Sequence, residues 1–534
     1  MNSRLTRDSL PRRAAPRSGA RKTLVIAYTV TAVAFIALVG CGNAPNAPVA
    51  DSGQVKLFAE AYDSISRYYI EPVHPAALAM AGLGNLAKID ADLAVERSGD
   101  QVILRDAGGA TRFGAPDAQD TQGWATLTDA VVATARRESA PVAALSLDSL
   151  DQRVLEGTVG MLDRFSHYMG PDVARERRAS RDGFGGIGVS LDSQSANVRI
   201  AEVLPDTPAA LAGLRVDDII ISIDGVETAT LPREDAAQRL RGPTDSIVTL
   251  ALARPGSSQP LHVALQRARI VPPTVTLKEG HGVAHLRVTS FNQQTAQSLA
   301  DLLQEAHRDM GAALHGIILD LRGNPGGLLD QSIDVASLFL DGVPVSSTVG
   351  RVPESIQYFT APHRDVERLP LVVLVNGGSA SAAEIVAAAL QDTSRAVVVG
   401  SASYGKGTVQ NVQRMPNDGE LTVTWSRLIT PGGYILHEHG VVPTVCTANL
   451  ADGADVSRAL SRSTSALSAE LGQARAGLDE AGWHRLRELC PGQRADHQIE
   501  VETARRLLAD PVLYARALTT PGTARPMTTA RMMR

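Results

Sequence analysis

Cysteine is scarce. The 534 residues hold three, at Cys41, Cys446 and Cys490. None forms a CxxC pair or a Cys/His set at metal-ligand spacing, so a zinc site is not expected. Aromatic residues are few, at 4%. Excess basic charge is also missing. The formal net charge is −5, which argues against nonspecific nucleic-acid binding. No internal repeat occurs. What remains describes an ordinary globular chain: 44% apolar, 20% charged, and long enough for two or more domains with full cores.

The basic residues that do occur are unevenly placed. Residues 1–22 hold Arg4, Arg7, Arg12, Arg13, Arg17, Arg21 and Lys22 against one acid, Asp8. An uncharged run, Thr23–Gly40, follows and ends in Leu38-Val39-Gly40-Cys41. A basic start, an apolar stretch and small residues before a cut describe a signal peptide over 1–41. The ending resembles a bacterial lipobox, which would make Cys41 a lipidated first residue. Two other readings stand beside it: an uncleaved membrane anchor, or an incidental cysteine. The lipobox and the anchor each tether the protein outside the cytoplasmic membrane, on the periplasmic side of a bacterial envelope. Residues 42–54 read as a linker. In that oxidising compartment Cys446 and Cys490 either pair or stay as two thiols.

The richest stretch is 371–410. Leu371–Val375 is a continuous apolar run, suited to a strand buried on both faces. Asn376-Gly377-Gly378-Ser379-Ala380 is a small-residue turn, and Ser381 then opens a helical pattern. Lys406 sits in a Gly405-Lys406-Gly407 loop after a second apolar run, Ala396–Val399. A serine at a helix start is most often a plain N-cap. Here small neighbours admit a substrate backbone, the first-turn N–H groups face any oxyanion, and a buried lysine can take the serine proton.

These residues resemble the carboxyl-terminal processing proteases, tail-specific serine peptidases with a Ser-Lys dyad. The matching pieces are Ser379-Ala380-Ser381-Ala382, Glu384, and Gly405-Lys406-Gly407-Thr408-Val409-Gln410. Ala383 and Ser401 depart from the usual pattern without removing a dyad member. The resemblance implies Ser381 as nucleophile, Lys406 as base and Gln410 as the group that orients the lysine. It also places the turn Gly323-Asn324-Pro325-Gly326-Gly327 beside the serine, with the N–H of Gly326 or Gly327 joining that of Ala382 in an oxyanion hole. No cofactor is implied, and Glu384 reads as a structural acid at a helix start.

The rest of the chain fits the same plan. A helical N-terminal domain over 55–177 carries an apolar helical stripe at 55–70, a second helix from Asp148 to Leu162, and a less regular insertion at about 80–140. Residues 178–270 resemble a PDZ domain. Ordered pieces carry this: the loop Gly183–Val189 with Gly185, Gly186, Ile187 and Gly188 at its centre, the strand Val198–Val203, the segment Thr207–Leu214, the strand and turn Asp217–Gly225, and the helix Arg233–Leu240. Residues 271–449 read as an α/β peptidase core of alternating strands and helices. His437-Glu438-His439 reads as a solvated turn, and 450–534 as a helical extension (Ser457–Leu467, Val501–Leu508) with a disordered end.

The expected fold is therefore multidomain α+β: helical domain, β-sandwich-like PDZ domain with two helices, and α/β core. The expected function is endopeptidase cleavage near protein C-termini, with the PDZ domain holding the substrate C-terminus. Expected partners are proteins or peptides with exposed C-termini, with room for an envelope adaptor and a homo-oligomer. The competing reading is an inert PDZ-containing scaffold. A weaker third is an esterase or ligand-binding relative.

Overall fold

The computed structural model describes residues 53–195, 197–450 and 479–518. The expectations placed on 1–41, Cys41, most of the linker, Ser457–Leu467 and the last sixteen positions lie outside these residues.

The peptidase core is one six-stranded sheet whose strands lie side by side in chain order. They are β1 (Val275–Gly280), β2 (Val283–Val288), β3 (Gly316–Asp320), β4 (Leu371–Val375), β5 (Val397–Gly400) and β6 (Val445–Cys446). The first pair is antiparallel; every later pair is parallel. Parallel neighbours need crossovers, and helices Thr295–Met310, Leu329–Ser337 and α1 (Ala382–Asp392) lie in them. A sheet covered on both faces needs strands that are apolar on both faces. Every residue of β3 and β4 is buried accordingly. One face packs against α1 and its neighbours. The other packs against Val501, Ala504, Leu507 and Leu508 of the helix Gln498–Ala509.

Beside this sheet stands an antiparallel one, ordered Gln357–Thr360, Pro344–Gly350, Glu420–Ile429 and Thr408–Arg414. His167–Met169 from the N-terminal domain adds to the Glu420 end. This sheet carries the chain out of the lysine loop.

The N-terminal domain differs from expectation in two places. Gly53 and Gln54, read as linker, already belong to the helix Gly53–Tyr68. The 80–140 segment is built into the domain. It forms a three-stranded sheet over Ala94–Gly114 and a helix, Thr121–Glu138, whose Trp124, Val131 and Ala135 share one core with Phe58, Tyr62 and Ile65. Burying these apolar side chains joins the segment to the domain.

Residues 178–270 form a separate core of Ile187, Ile200, Ile220, Ile223, Val248 and Leu250. A four-stranded antiparallel sheet and two short strand pairs surround it, with helices Pro208–Leu211 and Arg233–Leu240.

Candidate active site

The serine turn is held by side chains that replace missing backbone partners. Asn376 Oδ1 accepts the N–H of Gly323 and of Gly378, both at 2.9 Å. Ser379 Oγ accepts from Asn376 N–H (3.0 Å) and donates to the Leu321 carbonyl (2.8 Å). The chain thus swings from β4 into α1 with Ser381 at the N-cap, at φ 55° and ψ −117°. A non-glycine residue there stores about 1–3 kcal/mol of strain and persists only when its surroundings impose it.

Glu384 imposes it. This carboxylate is fully buried and accepts four hydrogen bonds. Oε2 takes the N–H of Ser381 (2.8 Å) and of Lys406 (2.9 Å). Oε1 takes the N–H of Gly405 (2.6 Å) and the hydroxyl of Ser403. Because one oxygen accepts from both residues, the Ser381 and Lys406 amide nitrogens lie less than about 6 Å apart. The serine turn and the lysine loop are further joined by Tyr404 N–H to the Ser379 carbonyl (2.9 Å). Burial pushes the Glu384 pKa up, against the opposing effect of its four donors. The helix-start acid of the sequence is thus the link between the two loops.

Lys406 is half-buried, and burial lowers its pKa while Asp163 and Glu384 oppose the shift. Its Nζ lies over the Phe165 ring, 5.2 Å from the centroid. No hydrogen bond joins it to the Ser381 hydroxyl in this conformation. Gln410 is also turned elsewhere: its amide nitrogen donates to Thr408 Oγ1 (2.8 Å) and Thr424 Oγ1 (3.4 Å). Asp163 and Phe165 come from the N-terminal domain, and only the folded chain brings them to the lysine.

The glycine turn lies against the serine. A Cβ on Gly326 would meet Ser381 Cβ at 2.8 Å and Ala382 N at 3.0 Å. The two glycines are not equivalent. Gly326 N–H donates to Asn324 Oδ1 (2.8 Å), so that amide is already committed. Gly327 is pinned by the bonds that Phe291 makes on either side, to the Gly326 carbonyl and from Leu328 N–H. No backbone hydrogen bond from its own N–H or from that of Ala382 joins these turns.

In the 178–270 unit, Gly186, Ile187, Gly188, Val189 and Leu240 line one groove. Gly185 does not. A Cβ there would lie 2.0 Å from the Gly242 carbonyl oxygen, so this glycine permits close packing behind the loop. Elsewhere, Cys446 and Cys490 are joined by a disulfide, with Cα atoms 5.9 Å apart. In the turn at 437–439, read as solvated, Glu438 is exposed but both histidine rings are packed. His437 meets the Phe165 ring at 5.8 Å, and His439 stacks on Trp483 at 4.6 Å. Among the described residues no group of three or more His, Cys, Asp or Glu is placed to hold a metal.

Comparison with known proteins identifies the architecture. Residues 282–447 match peptidase family S41, and residues 199–254 match a PDZ domain. The chain is 36% identical over 302 residues to the carboxy-terminal-processing protease of Bartonella bacilliformis, covering 55% of this chain and 70% of that one. The chain belongs to the carboxy-terminal processing proteases. This family consists of serine-type peptidases. A Synechocystis relative of the same description is 36% identical over 263 residues, or 48% of this chain and 61% of its own. A solved photosystem II D1 C-terminal processing protease is 23% identical, covers 73% of this chain and 92% of that one, and has a TM-score of 0.37. Family membership rests on the sequence relatives rather than on that likeness. The S41 match contains Ser381, Lys406, Gln410 and the 323–327 turn, whereas Phe165 and the PDZ loop 185–188 lie outside both matched segments.

Proposed function

We propose that this protein is a serine endopeptidase that cleaves proteins near their C-termini through an acyl-enzyme. Ser381 Oγ attacks the scissile carbonyl. Neutral Lys406 accepts the hydroxyl proton and then delivers it to the leaving amine. The N–H groups of Ala382 and Gly327 hold the oxyanion. Water then hydrolyses the ester at Ser381. The observation that carries this reading is the shared acceptor, Glu384 Oε2, which holds the two backbone positions within lysine reach.

The conformation described is a resting one. For reaction, Lys406 Nζ must leave the Phe165 ring for the Ser381 hydroxyl. The flexible four-carbon lysine stem is suited to such a swing. Gln410 keeps its amide oxygen as the acceptor that steadies the lysine after the swing. A free lysine near pKa 10.4 makes a poor base at neutral pH, and the burial of Lys406 acts in the required direction.

The loop Gly186–Gly188 and the groove it lines would hold the substrate C-terminus, through amides that face the terminal carboxylate. Lipidation of Cys41 would tether the enzyme on the periplasmic side of the membrane. The test uses the full chain with a protein whose C-terminus is unstructured and apolar. Wild type should shorten it, and Ser381→Ala and Lys406→Ala should each leave it intact. Cleavage by either variant at the wild-type rate removes the dyad. A wild type that binds the C-terminus without cutting leaves the inert scaffold.

A further inference from the structure

Helix α2 (Glu480–Leu489) lies beyond the residues that match the peptidase family. Glu480, Trp483 and Arg487 fall on one side of it at helical spacing. Glu480 meets His439 Nε2 at 3.2 Å, and Trp483 stacks on His439 and packs on Tyr434 at 4.7 Å. Arg487 reaches further in. Its Nη1 donates to the His439 carbonyl at 2.7 Å and its Nη2 to the Ser403 carbonyl at 3.1 Å.

Ser403 is the residue whose hydroxyl donates to Glu384 and accepts Val441 N–H at 2.7 Å. Gly440 and the Ser403 hydroxyl lie between the guanidinium and that carboxylate. A Cβ on Gly440 would lie 3.0 Å from Arg487 Nη1 and 3.2 Å from Glu384 Oε1. Glu384 acts on both Arg487 and Lys406, and Asp163 also acts on Lys406. Burial lowers the Arg487 pKa, and Glu384 opposes the shift.

The chain that follows α2 buttresses the same two loops. Cys490 is bound to Cys446 at the sheet edge. Gln493 N–H donates to Ser401 Oγ (3.0 Å), and its carbonyl accepts Gly377 N–H (2.7 Å). Asn376 Nδ2 donates to the Arg494 carbonyl (3.1 Å) and to Asp496 (2.9 Å). One segment therefore touches the turn before Ser381 and the loop before Lys406.

We infer that Arg487 is a positioning residue of the Ser381–Lys406 centre: its charge faces the buried Glu384 carboxylate and its two hydrogen bonds clamp Ser403, which keeps the serine turn and lysine loop in register. The inference rests on the dyad reading. It assigns to the C-terminal helix a part in catalysis without contact to substrate.

The test compares full-chain wild type, Arg487→Gln, Arg487→Lys and the exposed-residue control Arg485→Gln, each assayed well below its melting temperature. Arg487→Gln should lower kcat about tenfold or more with KM within about twofold. It should also move to higher pH the loss of kcat that Glu384 protonation causes on the acid side of the Lys406 limb, because Glu384 loses a facing cation and protonates more readily. Arg487→Lys should return that loss toward its wild-type pH, and Arg485→Gln should match wild type. A folded Arg487→Gln with wild-type kcat overturns the inference. So does a loss that follows only the unfolded fraction with the acid-side loss unmoved in pH. If Arg487→Gln does not fold, Arg487→Lys decides. It keeps the charge but loses the planar fork, so a kcat lowered about threefold or more supports the clamp and an unchanged kcat refutes it. Lack of cleavage by wild type sinks the dyad reading and this inference with it; normal cleavage by wild type and Arg487→Gln alike sinks this inference alone.

Discussion

Replacing Glu384 by Gln gives an outcome that the four hydrogen bonds dictate in detail. The new side chain keeps one acceptor oxygen and turns the other into a donor. If the amide nitrogen took the Oε2 place, it would confront two backbone donors, Ser381 N–H and Lys406 N–H, neither of which can accept. In the Oε1 place it meets Gly405 N–H and the Ser403 hydroxyl, and the hydroxyl can rotate to accept. The second arrangement wins: Gly405 N–H is orphaned at a cost of about 1–3 kcal/mol, and the Ser403 hydroxyl proton also loses this acceptor. Glu384→Ala orphans all four, which at the lower end of the same range is about 4 kcal/mol. Hydrogen exchange with mass spectrometry can read this locally, without treating a multidomain chain as two-state. In Glu384→Gln, exchange at Gly405 should accelerate roughly 5- to 150-fold, with Ser381 and Lys406 little changed. In Glu384→Ala all three should accelerate, and kcat should fall more than KM rises. Wild-type exchange at Gly405 in the Gln variant, or wild-type kcat in the Ala variant, would refute the claim that this carboxylate joins the two loops.

Other perturbations test neighbouring parts. Asp163 opposes the lowering of the Lys406 pKa by burial. Asp163→Asn should therefore lower that pKa further and move the ascending limb of the kcat–pH profile to lower pH. Asn retains an acceptor for Phe165 N–H and Ser166 N–H, each at 2.8 Å, so an unmoved or upward-moved limb contradicts the assignment. Gly326→Ala places a methyl 2.8 Å from Ser381 Cβ at a residue with φ 99°, and should reduce kcat at least about tenfold in a folded protein; near-normal turnover would show that the turn does not touch the nucleophile. Cleaving the Cys446–Cys490 bond, whose residues are 44 apart in sequence, should destabilise the core by up to about 4 kcal/mol on chain-entropy grounds. A melting temperature equal under reducing and oxidising conditions would show that the bond carries no such constraint.

What could be read without coordinates was local. The apolar run Leu371–Val375 forms a strand buried along its whole length because its composition suits burial on both faces. The helix Arg233–Leu240 has the bounds that the sequence assigns to it. The unread parts depend on distant partners. Glu384 looks like a helix-start acid because nothing near it in sequence reveals that Ser403, Gly405 and Lys406 converge on it. The Phe165 ring that Lys406 faces comes from another domain. Two features left open had local signals. Asn324 two residues before Gly326 is the spacing at which an Asn side chain caps a following amide, and it takes that N–H out of the oxyanion site. Trp124, Leu127, Thr128, Val131, Val132 and Ala135 are buried at helical spacing, which marks 121–138 as a helix of the domain's core.

The central claim is that Ser381 is acylated with Lys406 as its base. The most direct measurement is tandem mass spectrometry of the full chain quenched in acid during turnover of a slow ester substrate. The account predicts an acyl group on Ser381 in wild type and none in Lys406→Ala. An acyl group on another residue, or equal acylation of Ser381 in the two proteins, would contradict it.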